Sequence, residues 1–178
     1  MKKLMILAAL LLPFTAFAQK SVSVVKNDSW IQYELVHPMH KSVGTSKQVT
    51  GAAKYDETNK KFQAVAVAAA VNTFDSSNGS RDSHMLEVVD AIKYPRIAFT
   101  SDSVEPKGRD EVTVKGKLTF HGVSKPISFT AKTWTQDGKV FVQGQTSVSL
   151  TAFGVERPSF MMVPTEDALK ITFRAAFK

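Results

Sequence analysis

The densest group of chemistry-bearing side chains in this sequence is Arg81-Asp82-Ser83-His84. A guanidinium can donate two parallel hydrogen bonds to an anionic group, and an imidazole changes charge near neutral pH. Such a group could meet the polar head of a ligand. The same residues also suit the start of a helix, with Asp82 or Ser83 capping the first turn and Arg81 paired to a nearby carboxylate or carbonyl. A second pair, in His37-Pro38-Met39-His40, has H-x-x-H spacing but no acid beside it. Zinc takes three or four His, Cys or carboxylate ligands, so these histidines read as the polar rim of a strand running into a turn, and no metal is expected. His121, followed by Gly122, reads as a turn residue.

The usual entry points to catalysis are empty. There is no G-x-S-x-G elbow, no G-x-x-x-x-G-K-[ST] phosphate loop and no G-x-G-x-x-G. No carboxylate pair stands in a recognisable catalytic frame. The sequence has no cysteine, which removes thiol nucleophiles, disulfides and Cys-ligated zinc. The expectation is a protein that is not an enzyme and needs no cofactor.

The elements that must position these residues are mostly strands. Period-two alternation runs through Ile31–Leu35, Val112–Phe120, Ile127–Ala131, Val140–Leu150 and Leu169–Phe177. Further strand candidates span Val22–Lys26, Val49–Asp56, Phe62–Val71 and Ile97–Ser101. Asp137-Gly138, between two alternating runs, is the strongest hairpin signal. From Asp82 to Ile92 the period changes: Met85, Leu86, Val88, Val89 and Ile92 fall at helical spacing, and Tyr94-Pro95 would stop the helix. The chain thus reads as all-β, an antiparallel up-and-down barrel of about eight strands with one short helix. Closing a sheet removes its edges. A barrel of that size is either filled by side chains or holds one small ligand. A β-sandwich is the structural rival.

On this reading Ile31, Tyr33, Leu35, Val65, Val67, Phe99, Leu118 and Phe120 face an apolar lumen. Arg81, Asp82, His84 and His37 would stand at its mouth, toward a head group. The segment Gly154–Asp167, with Phe153 before it, carries Phe160, Met161 and Met162 and is broken by prolines. It is either a plug on the barrel end or a portal lining for a long acyl or isoprenyl tail, a role that methionines suit because they adapt to irregular shapes. The Phe62–Val71 strand is apolar on both faces, with alanines on the presumed outer one. A strand of that kind is covered on both sides, here by the helix, by a loop, or by a second copy in a symmetric dimer.

The first residues are expected to be a cleaved leader. Lys2 and Lys3 precede an apolar run, Leu4–Leu12, and Ala16-Phe17-Ala18 follows as the small-x-small signal. The run is shorter than the roughly 20 residues that span a bilayer. Cleavage after Ala18 would leave residues 19–178 as one domain, in the periplasm of a bacterium. The formal charge of +7 includes Lys2 and Lys3, and no block of five like charges occurs. That pattern argues against nucleic acid as partner and allows mild attraction to an anionic membrane surface.

Three stretches fit one family together: Ser29-Trp30-Ile31-Gln32-Tyr33-Glu34-Leu35-Val36-His37, then Arg81-Asp82-Ser83-His84, then Gly116 to Pro126 with its Leu118-Thr119-x-His121-Gly122-x-x-Lys125-Pro126 core. Thr73 and the run Tyr94-Pro95-x-Ile97-x-Phe99-x-Ser101 fit as well. The chain resembles the YceI-like family, secreted lipocalin-like barrels that hold polyisoprenoids or other long-tailed lipids. The resemblance covers nearly all of residues 19–178. It implies a carrier that sequesters a polyisoprenoid, an isoprenoid quinone or a fatty-acid derivative. An enzyme acting on such a lipid and a ligand-free interaction barrel are the alternatives. The chain departs from the family pattern at Ser46, where an aromatic is usual, and at Val88-Val89, in place of two phenylalanines. Both departures are expected to reshape the ligand end of the cavity.

Overall fold

The computed structural model describes residues 19–178; the expected leader lies outside the described residues. Alternation turns into pairing wherever a tight turn returns the chain antiparallel. His121-Gly122 and Asp137-Gly138 both form two-residue turns with left-handed backbone, at φ 49° and 72° and at φ 51° and 69°, the conformation whose twist matches that of paired strands. The strands are β1 (Gln19–Ser23), β2 (Trp30–His37), β3 (His40–Ser46), β4 (Thr50–Asp56), β5 (Lys61–Ala70), β6 (Arg96–Pro106), β7 (Glu111–Phe120), β8 (Val123–Gln136), β9 (Lys139–Ser149), β10 (Ser159–Phe160), β11 (Val163–Pro164) and β12 (Ala168–Phe177). The helix α1 spans Gly79–Val88.

Ten strands form one antiparallel sheet in the order β1-β4-β5-β6-β7-β8-β9-β12-β2-β3, and β10 and β11 form a separate small hairpin. The sheet is strongly curled into a half-barrel with one helix, and it is not the two-sheet sandwich. Its edges are tied at two places. At one, Ser23 and Lys178 exchange backbone hydrogen bonds of 2.9 and 3.0 Å, and Val24 bridges Phe177. At the other, Thr45 and Asp75 exchange bonds of 2.9 and 3.1 Å, with the Ser46 and Thr73 hydroxyls 2.7 Å apart beside them. Ser46 is fully buried there. It belongs to this seam and is not among the side chains that line the cavity described below. Ser29 ties the last strand to the N-terminal segment. Its buried hydroxyl donates to the Val25 carbonyl at 2.8 Å and accepts from the Ala176 amide at 3.0 Å.

Several elements differ from their expected bounds. β3 carries Val43 as its only large aliphatic residue and a glycine at its centre, so no alternation announces it. β1 spans Gln19–Ser23 and ends short of Lys26, because Lys26–Asp28 turns into a 3₁₀ helix. The helix starts before Asp82: Asn78 is its cap, accepting the Arg81 amide at 3.0 Å on its side-chain oxygen. Asp82 and Ser83 therefore lie inside the first turns. The helix also stops before Tyr94-Pro95. Asp90 adopts φ 44°, and the Ala91 amide reaches back to the Leu86 carbonyl at 2.9 Å, a C-terminal motif that normally uses glycine at the Asp90 position. Ile92 lies beyond that reversal and is 99% exposed. On β5, Ala66 is exposed and Ala64, Ala68 and Ala70 are partly so, since α1 turns its apolar stripe to the cavity instead.

The Ser29 tie has a measurable worth. Ser29→Ala leaves the Ala176 amide unpaired in the interior and is expected to cost about 1–3 kcal/mol in urea unfolding. Ser103→Ala, which removes an exposed bond to Glu105, is expected to stay within about 0.5 kcal/mol. Equal midpoints for the two variants would remove the tie as a source of stability.

Candidate binding cavity

The pairing of β2 with β12 sets Leu35 against Leu169, Tyr33 against Ile171 and Ile31 against Phe173. Since alternate residues share a face, these side chains make one inner wall. α1 faces them with Arg81, His84, Met85, Val88 and Val89, the i, i+3, i+4, i+7, i+8 stripe of a helix packed on one side. Val71, Ile97, Phe120, Leu150 and Val155 complete the walls of a cavity of about 310 Å³. The value falls at the lower end of the roughly 300–1,000 Å³ of small-molecule sites. Polar groups enter the lining through Gln32, His37, His40, Ser42, Arg81, His84, Ser159 and Thr165.

The β10–β11 hairpin contributes Ser159 and Phe160 to the lining. His37 is 3% exposed. Its Nδ1 accepts the Met39 amide at 3.2 Å, which leaves Nε2 to donate to the Val163 carbonyl at 3.0 Å. Phe160 meets the His37 and His40 rings edge-on, at centroid distances of 6.0 and 5.9 Å. Arg157 donates to the Thr165 carbonyl through both Nε and Nη2, clamping the return strand. Burial pushes the Tyr33 phenol above its ordinary range, Asp82 adding to the shift and Arg81 opposing it.

Aromatic rings lie along the walls because glycines stand beneath them. A Cβ at Gly44 would come 2.5 Å from Cε1 of Tyr33, one at Gly116 would come 2.6 Å from Cζ of Phe99, and one at Gly144 would come 3.0 Å from Cζ of Phe173. With no side chain below, each ring approaches the neighbouring strand closely and leaves the lumen less filled. A second chamber of about 100 Å³ lies beyond the first, lined by Val65, Val67, Phe99, Val114, Leu118, Ile127, Phe129 and Val142, with polar atoms only from Trp30, Thr146 and Arg174.

Of the residues expected at the site, His37, Arg81, His84, Ile31, Tyr33, Leu35, Phe120 and Phe160 line the first chamber. Val65, Val67, Phe99 and Leu118 line the second. Asp82 lines neither; its carboxylate accepts the Ser76 amide at 3.1 and 3.3 Å. Phe153 is 2% exposed and packs behind Phe120, 5.8 Å between ring centroids. Met161 and Met162 point away from the lumen, 72% and 96% exposed at the hairpin apex. The 154–167 segment thus combines a buried anchor with a covering hairpin. The lining residues Val71, Met85, Leu169, Ile171 and Thr165 escaped the sequence reading. The period of α1 showed a stripe but not which side faces the lumen, and Thr165 gave no signal. Thr165 is 7% exposed, and its Oγ1 has no hydrogen-bond partner among the described residues. No three His, Asp or Glu residues come together to hold a metal ion among the described residues.

A curled antiparallel sheet with one helix laid over a largely apolar, ligand-sized cavity defines a β half-barrel. A family model described as YceI-like domain matches residues 22–177. The chain belongs to the YceI-like family. Two curated relatives called Protein YceI, from Salmonella arizonae and Salmonella paratyphi B, are 37% identical over 91 residues, covering 50% of this chain and 47% of each relative. The chain spans about half the length of the curated relatives it matches. Among solved structures, Burkholderia cenocepacia BcnA shares the fold at TM-score 0.77 and 20% identity, over 86% of this chain and 98% of that one. A polyisoprenoid binding domain from Saccharophagus degradans implicated in plant cell wall breakdown does so at 0.69 and 12%, over 88% and 97%. Campylobacter jejuni YCEI protein does so at 0.63 and 23%, over 76% and 84%. At these identities the likeness is one of fold.

The lone Thr165 hydroxyl gives a test of the site. Thr165→Val keeps the shape and removes a buried, unpaired polar atom, so the ligand-free protein is expected to gain about 1 kcal/mol in urea unfolding. A loss of stability instead would mean that the hydroxyl is paired in solution.

Proposed function

We propose that this protein binds an amphipathic long-chain lipid without covalent chemistry and carries it through the aqueous periplasm. The observation that carries the reading is a cavity lined mostly by apolar side chains, with His37, His40, Arg81 and His84 among its polar ones. The tail would lie along the apolar side chains and the head would meet the His and Arg side chains. Each methylene taken from water contributes about 0.8 kcal/mol, so a long tail needs few polar contacts. The polyisoprenoid-binding domain among the proteins of like fold supports a polyisoprenoid, an isoprenoid quinone or a fatty-acid derivative as ligand. The leader pattern of residues 1–18 supports the periplasm. The rival reading, chemistry on the lipid by Arg81, Asp82 and His84, gets no help from Asp82, which is engaged by Ser76.

Native mass spectrometry of protein purified from its own host, followed by organic extraction, tests the carrier reading. A stoichiometric long-chain lipid is expected. Arg81→Ala with His84→Ala is expected to weaken binding of the extracted lipid at least about tenfold, the size of one lost charge-assisted hydrogen bond, while binding of a matching alkane tail stays unchanged. A barrel that takes up no prenyl or acyl lipid even when supplied in excess would sink the carrier reading.

Exchange with a membrane belongs to the same proposal. Met161 and Met162 sit at φ 50° and 66°, a turn where glycine or asparagine is favoured. Beside them Met39, in the β2–β3 turn, is 66% exposed. Exposed apolar tips next to a lipid cavity suit transient contact with a bilayer surface. Met161→Ser with Met162→Ser is expected to reduce cosedimentation with anionic phospholipid vesicles at least about tenfold, given about 1.5–3 kcal/mol for each buried Met. Unchanged cosedimentation would rule this hairpin out as the contact.

A further inference from the structure

The two chambers share three lining residues: Ile31, Ile97 and Ile171. Ile31 and Ile171 stand on the adjacent strands β2 and β12. Ile97 comes from β6, separated from β12 in the sheet by β7, β8 and β9, and so from across the curled wall. We propose that these three side chains form a constriction that sets the length of lipid tail the protein accepts. The proposal rests on the lipid-binding reading above and adds the residues that measure the tail.

Three observations carry it. Isoleucine is branched at Cβ and stiff about its first torsion, so a ring of three yields less than the methionine of α1 would. The aromatic neighbours are drawn aside: Tyr33, paired with Ile171, lies over Gly44, and Phe173, paired with Ile31, lies over Gly144. The isoleucines are thereby left as the side chains that project where the chambers meet. Their packing is also unequal. Ile97 and Ile171 are 8% and 5% exposed, held in the wall, whereas Ile31 is only partly buried. Ile31 is the member whose removal opens the passage at least cost to the fold. Beyond the ring, the second chamber offers apolar walls to whatever methylenes pass.

The test is a homologous series of saturated fatty acids titrated into the protein and its variants. In the wild type, affinity is expected to rise about fourfold per added methylene until the first chamber is filled, and then to level off. Ile31→Ala is expected to move that plateau to longer chains, and Ile97→Val, which removes one methyl and endangers folding little, to move it in the same direction by less. Val67→Phe fills the second chamber. It is expected to leave the wild-type plateau where it is and to abolish the extension in the Ile31→Ala background. A plateau shortened by Val67→Phe alone would show that tails already pass the ring, and would overturn the proposal. So would Ile31→Ala and Ile97→Val scaling all chain lengths by one common factor. Absence of binding by any member of the series would instead remove the lipid reading on which the proposal stands.

Discussion

The constraint on which everything else depends is the need to satisfy the backbone at the edges of a curled sheet without filling its centre. Unpaired strand edges recruit other chains, and buried amides left alone are costly. This sheet resolves the problem with little contact between its edge strands. Ser23 and Lys178 make one tie and Thr45 and Asp75 the other, each supported by a buried hydroxyl, Ser29 in the first case and Ser46 in the second. Since no cysteine is present, these hydrogen bonds stand where disulfide-rich domains place their cross-links.

A curled wall would leave no cavity if its aromatics collapsed inward. Gly44, Gly116 and Gly144 prevent that by letting Tyr33, Phe99 and Phe173 lie against the strands. Below the second chamber the opposite rule holds. Tyr55, Phe62 and Phe177 pack against one another at steep angles, with centroids 5.0 and 5.5 Å apart, and fill the base. One sheet therefore carries a packed floor and an open upper lumen, distinguished by whether an aromatic meets a glycine or another aromatic. α1 completes the lumen from above, its cap at Asn78 and its reversal at Asp90 fixing which five residues turn inward.

Strands with strict alternation, such as β7, β8 and β12, were legible in the sequence because one face is buried and the other wet. β3 was not, because an edge strand that is half exposed needs little apolar content. The helix was legible by period, yet its ends were misplaced by three or four residues. Asn78 outcompeted Asp82 as cap, and an aspartate rather than a glycine made the left-handed turn at its end. His37, Arg81 and His84 could be named from sequence as polar candidates, and all three line the first chamber. Thr165 and the meeting of Ile31, Ile97 and Ile171 could not, because both depend on register between strands far apart in the chain. The family motif also mixes two kinds of residue that look alike in sequence. Ser29, Thr73 and His121 hold backbone or seam, whereas His37, Arg81 and Ile97 line the cavity.

The place of β12 has a consequence for how the molecule is made. It is the last strand in the chain, yet it lies between β9 and β2 in the sheet. The β2–β3 hairpin forms early and locally but has no other strand to join until residues 168–177 arrive. Ser29 and Ser23 likewise wait for Ala176 and Lys178. Contacts between sequence-distant segments are slow to form because the loop must close before they are rewarded. These contacts are therefore expected to form late in folding, and a chain truncated by its last ten residues would retain most of its strands but lose the one that joins β2 to β9.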